Sequence, residues 1–588
     1  MTTPMTSSGL DTRLPSLPEP EALRRSEGFG LADGAVVLGV LVLLGLIGHV
    51  GSSAMVSFRP PEISPTVSLD PRFLPSYAAR STVRMFIALA ASLVFTVVYG
   101  WIAAHNRRAE RVLVPLLDIL QSVPVLGFLS ITVTGFIALF PGSLLGLEAA
   151  SIFAIFTSQV WNMTFSFYQS LRTLPKELVE ATTLFRLSRW QRLTRLELPT
   201  AAIPLLWNAM MSFGGGWFFV AASEAISVLN RDYTLPGIGS YVAAAVAARD
   251  LRAIGWAMAT MAVVILLVDQ LFWRPLVAWS DRFRLELSGS GNTQQSWVFD
   301  LITTARLPRL FATASAPLIE ALDRLMSGLF GQVQDHQNDG AAPGQDRLFN
   351  LGLWLLVGSL LAVLLHFIFT RVGLLEVAHV FKLGLLTLAR VLLLLVVSTL
   401  IWTPVGVAIG FHPRLASRLQ PLVQFLASFP ANFIFPFATL LFIHSHISIG
   451  WGSILLMALG AQWYILFNAI AGAQSIPSDL REMADDVGLR GLQRWRKLII
   501  PGIFSAWVTG GVTASGGAWN ASIVSEVVSW GSTTLTASGL GAYIAEATAR
   551  GDWPRISLGI GMMSLFVVGF NRFVWRRLYA LAETRYHL

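Results

Sequence analysis

Apolar runs alternate with short, arginine-rich polar stretches along most of the chain. They fall near residues 32–56, 82–104, 112–140, 147–171, 201–229 and 253–276, and again near 348–370, 383–410, 417–443, 449–472, 503–529 and 556–576. Each is long enough to cross about 30 Å of hydrocarbon as a helix, so the pattern predicts two sets of six membrane spans, about 12 in all. Residues 1–31 are polar, with Pro15, Pro18, Pro20 and Arg24-Arg25, and are expected to form an N-terminal tail. Residues 283–347 interrupt the hydrophobicity and read as a linker between a first domain at 32–282 and a second at 348–588. Within it Leu318, Leu322, Leu325, Met326 and Leu329 recur at helical spacing just after Pro317. This predicts an amphipathic surface helix with that proline in its first turn.

The two halves are copies. An offset of 302 holds from Glu180/Glu482 through Ser223-Glu224/Ser525-Glu526 to Trp273/Trp575. Upstream it becomes 306, as in Arg84/Arg390 and Pro124/Pro430. With an even number of spans per half, the copies are expected to be parallel. Alternating spans place Arg24-Arg25, Arg107, Arg108, Arg111, the arginines from Arg172 to Arg195, and Arg274, Arg282 and Arg284 on one side, which the positive-inside rule makes the cytoplasm. The N-terminus is then cytoplasmic.

Composition agrees with a membrane protein: 588 residues, 54% apolar, only 13% charged, and a mean hydropathy of +0.62. The net charge of +8 would suggest nucleic acid in a soluble chain. Here the basic residues flank apolar runs and set topology, so no nucleic-acid partner is expected. The absence of cysteine excludes thiol chemistry and disulfides. The three lysines, Lys176, Lys382 and Lys497, follow Pro, Phe and Arg, so no phosphate-binding Gly-Lys-Ser/Thr loop exists in this sequence. His444 and His446 lack nearby acidic residues, and no metal site is expected.

The most legible repeated stretch runs from Pro175 to Pro199 and from Pro477 to Pro501. It is polar and arginine-rich, lies between spans four and five, and reads as a helical hairpin closed by a proline that begins the next span. Each copy resembles the EAA motif of ABC importer permeases, through Glu180, Ala181, Leu198 and Pro199 in the first and Glu482, Ala484, Gly488 and Pro501 in the second. Arg186 stands where the motif has glycine. Arginine takes positive φ only with strain, so the second copy is expected to hold the hairpin geometry better.

That resemblance implies an all-α integral membrane protein of the type I ABC permease fold, built from two parallel six-helix repeats. It implies that Glu180, Ala181, Arg186, Pro199, Glu482, Ala484, Gly488 and Pro501 couple to two ABC ATPase subunits on separate chains. These would carry the ATP and Mg, with no cofactor in this chain. It also implies a periplasmic binding protein delivering a small solute, in a bacterial inner membrane. Ser122-Val-Pro124, Ser428-Phe-Pro430, Arg84 and the Ser-Glu followed by Gly-x-Gly-x-Tyr resemble the nitrate, sulfonate, taurine and bicarbonate branch, in its fused, duplicated form. Parallel six-helix repeats with a central linker also describe a secondary transporter of the major facilitator type, which lacks such paired hairpins. The solute itself is not readable from the chain.

Candidate path residues are the polar and aromatic positions that cluster in spans three to five: Ser122, Ser428, Gln159, Trp161, Gln462, Trp463, Trp217, Trp519, Asn520, Glu224 and Glu526. Any of the tryptophans could instead be an interface anchor. Trp217 and Trp519 are expected to face each other across a pseudo-two-fold axis, as are Glu224 and Glu526. Each glutamate is open to two readings, accepting amides of the Gly-x-Gly turn or touching substrate. Arg84 and Arg390 could snorkel, pair with these glutamates or attract an anion. Gly237, Gly239 and Tyr241, with Gly539, Gly541 and Tyr543, are the expected outer gate loops.

Overall fold

The computed structural model describes residues 31–54, 67–228, 231–283, 296–331 and 343–585. The N-terminal tail up to residue 30 and the polar ends of the linker at 284–295 and 332–342 lie outside the described residues. The first repeat runs through α1 (Leu31–Ala54), α2 (Leu74–His105), α3 (Arg107–Ser122), α4 (Val125–Leu139) and α5 (Leu145–Arg172). Two short helices, α6 (Lys176–Leu184) and α7 (Arg189–Arg192), lead into α8 (Leu198–Ser223). A hairpin of β1 (Ala225–Val228) and β2 (Arg231–Thr234) follows, then α9 (Ile238–Ala247), α10 (Leu251–Val268) and α11 (Arg274–Ser280).

The linker holds α12 (Trp297–Thr304) and α13 (Arg306–Phe330). The second repeat has the same order: α14 (Pro343–Phe367), α15 (Leu374–Gly410), α16 (Pro413–Ser428), α17 (Phe435–His444), α18 (Ile449–Ser475), α19 (Ser478–Asp486), α20 (Gly491–Arg494) and α21 (Ile500–Ser525). It ends with β3 (Val527–Trp530), β4 (Thr533–Thr536), α22 (Leu540–Arg550), α23 (Trp553–Phe570) and α24 (Arg576–Arg585).

Among the described residues eight helices are long and apolar enough to cross a membrane. The expected spans at 112–140 and 417–443 are not single helices. Residues preceding proline are pushed to extended backbone, and Val123 (ψ 125°) and Phe429 (ψ 128°) adopt it. Pro124 and Pro430 then lack the N–H that would continue the ladder. Each third span therefore splits, into α3 and α4 or into α16 and α17. The fifth spans also differ from expectation, ending in antiparallel two-stranded hairpins that pair Ala225 with Thr234 and Val527 with Thr536.

The proline closing each hairpin does not open a new helix. Helix α7 continues into α8 through a π-helical turn at Leu193–Glu197, and α20 into α21 through one at Trp495–Ile499. The wider turn absorbs the ring and missing donor of Pro199 and Pro501 without breaking the rod. In the linker, α13 begins at Arg306, so Pro317 lies inside the helix and not in its first turn.

Helices α2, α5 and α8 pack together in the first repeat, and α15, α18 and α21 in the second. The broken third spans pack on α5 and α18 of their own repeats and also reach into the other. Val125, Leu129 and Val133 of α4 join the core of the second repeat, against α21, α22 and α23. Phe425, Phe429 and Phe433 join the core of the first, against α8 and α10.

Candidate gate and coupling sites

The fifth spans end in buried carboxylates, and each is met from three directions. Glu224 accepts from Nη1 of Arg84 at 2.7 Å, from Ser81 at 2.5 Å, and from the Gly239 amide at 2.7 Å. Arg84, itself 1% exposed, also forks onto Glu148 through Nε and Nη2 and reaches the Pro236 carbonyl. This ties α2, α5, α8 and the loop before α9 into one knot. In the second repeat Glu526 accepts from Arg390 at 2.8 Å, Thr387 at 2.8 Å and the Ala542 amide at 3.0 Å. Of the readings left open by the sequence, the arginines pair with the glutamates, and the glutamates accept amides at the start of the helix that follows.

The two knots are not equal. Glu148 aligns with Gly450, where a Cβ would stand 3.8 Å from Nη2 of Arg390. Arg390 thus has one carboxylate where Arg84 has two, and its side chain is 13% exposed. The Gly-x-Gly turns sit where they do because no side chain fits. A Cβ on Gly239 would lie 2.6 Å from Cα of Ala221, and one on Gly541 would lie 2.6 Å from the carbonyl carbon of Ser522. Beyond them Tyr241 donates to the Leu69 carbonyl and Tyr543 to Glu376, pinning α9 and α22.

Between the repeats the breaks in span three meet the opposite fifth spans. Asn520 Oδ1 accepts the Val125 amide at 2.8 Å, and Asn432 Nδ2 reaches the Phe218 carbonyl at 3.5 Å. Asn520 and Phe218 are equivalent by the offset, and Asn432 lies one position beyond the equivalent of Val125, so the two contacts are nearly symmetric. A Cβ on Gly214 would stand 2.6 Å from Ser428 Oγ, and one on Gly215 2.9 Å from the Tyr464 hydroxyl. Small residues here let α8 approach the second repeat closely.

The remaining path candidates lie elsewhere. Trp217 packs on Phe213 beside α10, and Trp519 on Phe566 of α23, so each tryptophan is buried against its own sixth span and not against the other. Gln159 is fully buried between α2, α5 and α8. Trp161 packs edge-on to Phe95, Gln462 accepts from Trp402, and Trp463 donates to the Leu459 carbonyl. The side chain of Ser122 lies outside the described residues. Asn432 and Tyr464 are not among the candidates read from the sequence, because a lone polar group in an apolar run does not show which helix it will meet.

Both coupling hairpins have one geometry. Arg186 sits at φ 50° and Gly488 at φ 72°, so the arginine takes the conformation that glycine takes in the other copy, and the expected loss of geometry does not occur. Such strain costs on the order of 1–3 kcal/mol. Arg186→Gly is expected to raise stability by about 1 kcal/mol, read as a higher unfolding midpoint of the purified protein. A lower midpoint would show that the arginine side chain contributes more than the strain removes.

Glu180 and Glu482 are exposed, Ala484 is buried, and each hairpin ends in an apolar tip: Leu184 and Phe185 in the first, Val487 and Leu492 in the second. Their bases differ. Glu197, fully buried, joins His105 at 2.9 Å to Arg192 at 2.7 Å. By the offsets these residues become Phe411, Ile499 and Arg494, and there Arg494 and Arg481 lie over the Phe411 ring. A hydrogen-bonded triad in one repeat is a cation–π stack in the other. Glu197 escaped notice in the sequence because its counterpart is apolar.

Residues 96–272 and 401–585, more than half of the chain, match the model of the family described as the inner membrane component of binding-protein-dependent transport systems, once per repeat. The chain belongs to that family. It is a duplicated, multi-pass member of it, and the secondary-transporter reading falls away. Individual relatives are more distant. The bicarbonate transport system permease protein of Synechococcus elongatus is 26% identical over 178 residues, 30% of this chain and 61% of that protein. The nitrate import permease protein of Leptolyngbya laminosa is 26% identical over 28% of this chain and 58% of its own length. A putative aliphatic sulfonates transport permease protein of Bacillus subtilis is 27% identical over 26% and 53%. The chain thus spans about three-fifths or less of the length of these relatives. For a member of this transport family, the paired hairpins and the knots at the ends of the fifth spans are the elements to which a function must be assigned.

Proposed function

We propose that this chain forms the membrane pathway of an ATP-driven ABC importer, with both permease halves fused. The observation that carries this is the pair of hairpins, α6–α7 and α19–α20, each continuous with a fifth span whose far end holds a buried glutamate. A push on a hairpin is transmitted along a rod of 35 residues to the gate loop. Two ATPase subunits on separate chains dock on the two hairpins, burying the apolar tips and pairing with Glu180 and Glu482. ATP-driven closure then turns the fifth spans. Coupling requires that the two states differ in binding energy, and the knots, which fix α9 and α22 to α8 and α21, are where that difference is expressed.

We place the chain in a bacterial inner membrane, with the hairpins and the N-terminus on the cytoplasmic side, the orientation that the arginine distribution favours. A periplasmic binding protein delivers the solute to the opposite face. The solute class we favour is a small anion. Bicarbonate, nitrate and aliphatic sulfonates, named for the three relatives, are all anions. Helix α4 also presents its N-terminus at the repeat interface, an end that favours negative charge.

The test is assembly with the cognate ATPase. Phe185→Asp and Val487→Asp each remove a tip side chain whose burial stabilises docking by about 1.5–3 kcal/mol. Each is expected to lower co-purified ATPase severalfold while leaving the unfolding midpoint unchanged. Undiminished ATPase in the double variant would sink the docking role.

A further inference from the structure

Helix α13 has an apolar face that no other part of the described chain covers. Leu310, Phe311, Leu318, Leu322, Leu325 and Leu329 fall along one side at helical spacing, with Phe311 77% and Leu318 73% exposed. Arg309, Glu320, Asp323 and Arg324 fall on the other. The N-terminus of α13 is fastened to the start of α1, where Asp33 Oδ1 accepts the amides of Arg306 at 2.7 Å and Leu307 at 2.8 Å. After α13 the chain enters α14, whose residues from Asn350 onward belong to a membrane-length helix. A rod of 25 residues, about 37 Å long, is thus held beside the start of α1.

We propose that α13 lies in the cytoplasmic leaflet, with its leucine face in the acyl chains, and that its polar side holds the first coupling hairpin against the membrane. The lipid surface is the occupant that fits. The face is continuous and uncharged, the opposite side is charged, and the helix is tied to α1 at the level where that helix begins. Three contacts make the hold. Arg195 pairs with Asp323 at 3.2 Å, the Arg189 amide donates to the Gly331 carbonyl at 3.0 Å, and the Trp190 ring stacks on Phe330 at 6.1 Å. The linker occurs once in the chain, so the second hairpin has no second copy of it.

The two ATPase docking sites are therefore inequivalent: the first is braced by α13 on the lipid, and the second, among the described residues, rests only on its own repeat, through Arg481 and Arg494 over Phe411. This consequence rests on the coupling reading, whereas the placement of α13 does not.

The chain contains no cysteine, so single cysteines report cleanly. In the full-length protein in nanodiscs, bimane on Leu318→Cys and Leu325→Cys is expected to be quenched by brominated lipid and shielded from iodide. Arg309→Cys and Arg324→Cys are expected to show the reverse. Equal iodide access at all four positions, or shielding of Leu318 and Leu325 only after ATPase is added, would overturn the placement. Asp323→Ala is expected to speed hydrogen exchange severalfold at residues 189–197 and not at 491–499. Unchanged exchange at 189–197 would overturn the hold. Lipid quenching in a chain that binds no ATPase would support the placement of α13 while sinking the coupling reading.

Discussion

Arg84→Met is expected to destabilise the protein by about 3–5 kcal/mol, because it strips the buried Glu148 and Glu224 of the guanidinium they share and leaves only the more distant Arg80 near Glu148. Arg390→Met is expected to cost less. Arg390 balances one carboxylate and keeps contact with the surface, so the glutamate it abandons retains Thr387 and the Ala542 amide. Thermal unfolding followed by intrinsic tryptophan fluorescence orders the two variants. The triple variant Arg84→Met, Glu148→Gln, Glu224→Gln tests the cause, since removing all three charges together avoids the uncompensated state and should recover most of the loss. If Arg84→Met unfolds at the wild-type midpoint, the knot contributes nothing net. If the triple variant is no better than the single, the loss is one of packing.

Gly239→Ala and Gly541→Ala are expected to have the next largest effect. A methyl at either position meets backbone of the preceding fifth span, at Ala221 or at Ser522-Ile523, and backbone cannot swing aside as a side chain does. Overpacking of this kind costs about 1–3 kcal/mol. At Gly239 it also displaces the amide that Glu224 accepts, which adds about 1–3 kcal/mol for a buried charged group left short of a donor. Transport of the solute should fall in both variants, with ATPase co-purification retained, because the hairpins are at the other end of the rods. Full transport by Gly239→Ala would show that the gate loop tolerates being lifted from α8.

Several features of the molecule were legible in one dimension because they depend on local chemistry or on repetition. Hydropathy marks a helix that must satisfy its own backbone in lipid, so the membrane class follows from composition. The offset of 302 reveals the duplication, and the hairpins stand out because arginine and glutamate recur there between apolar runs. Pairing of Arg84 with Glu224 was among the readings left open, since a charge inside a span demands a partner. Which partner it takes was not legible. Glu148 lies 64 residues from Arg84 and has glycine as its counterpart in the other repeat.

Tertiary structure decided the rest. Proline at 124 and 430 breaks each third span by local chemistry, but only packing shows that α4 and Phe425, Phe429 and Phe433 reach into the core of the opposite repeat. Arg186 and Arg249 hold positive φ where Gly488 and Gly551 do, against their own preference, because the surrounding fold outweighs about 1–3 kcal/mol of local strain. Trp217 and Trp519 turn toward their own sixth spans because a buried indole goes where there is volume to fill, and periodicity carries no information about volume. Residue type sets what a position requires, while the distance between positions far apart in the chain sets which other residue meets that requirement.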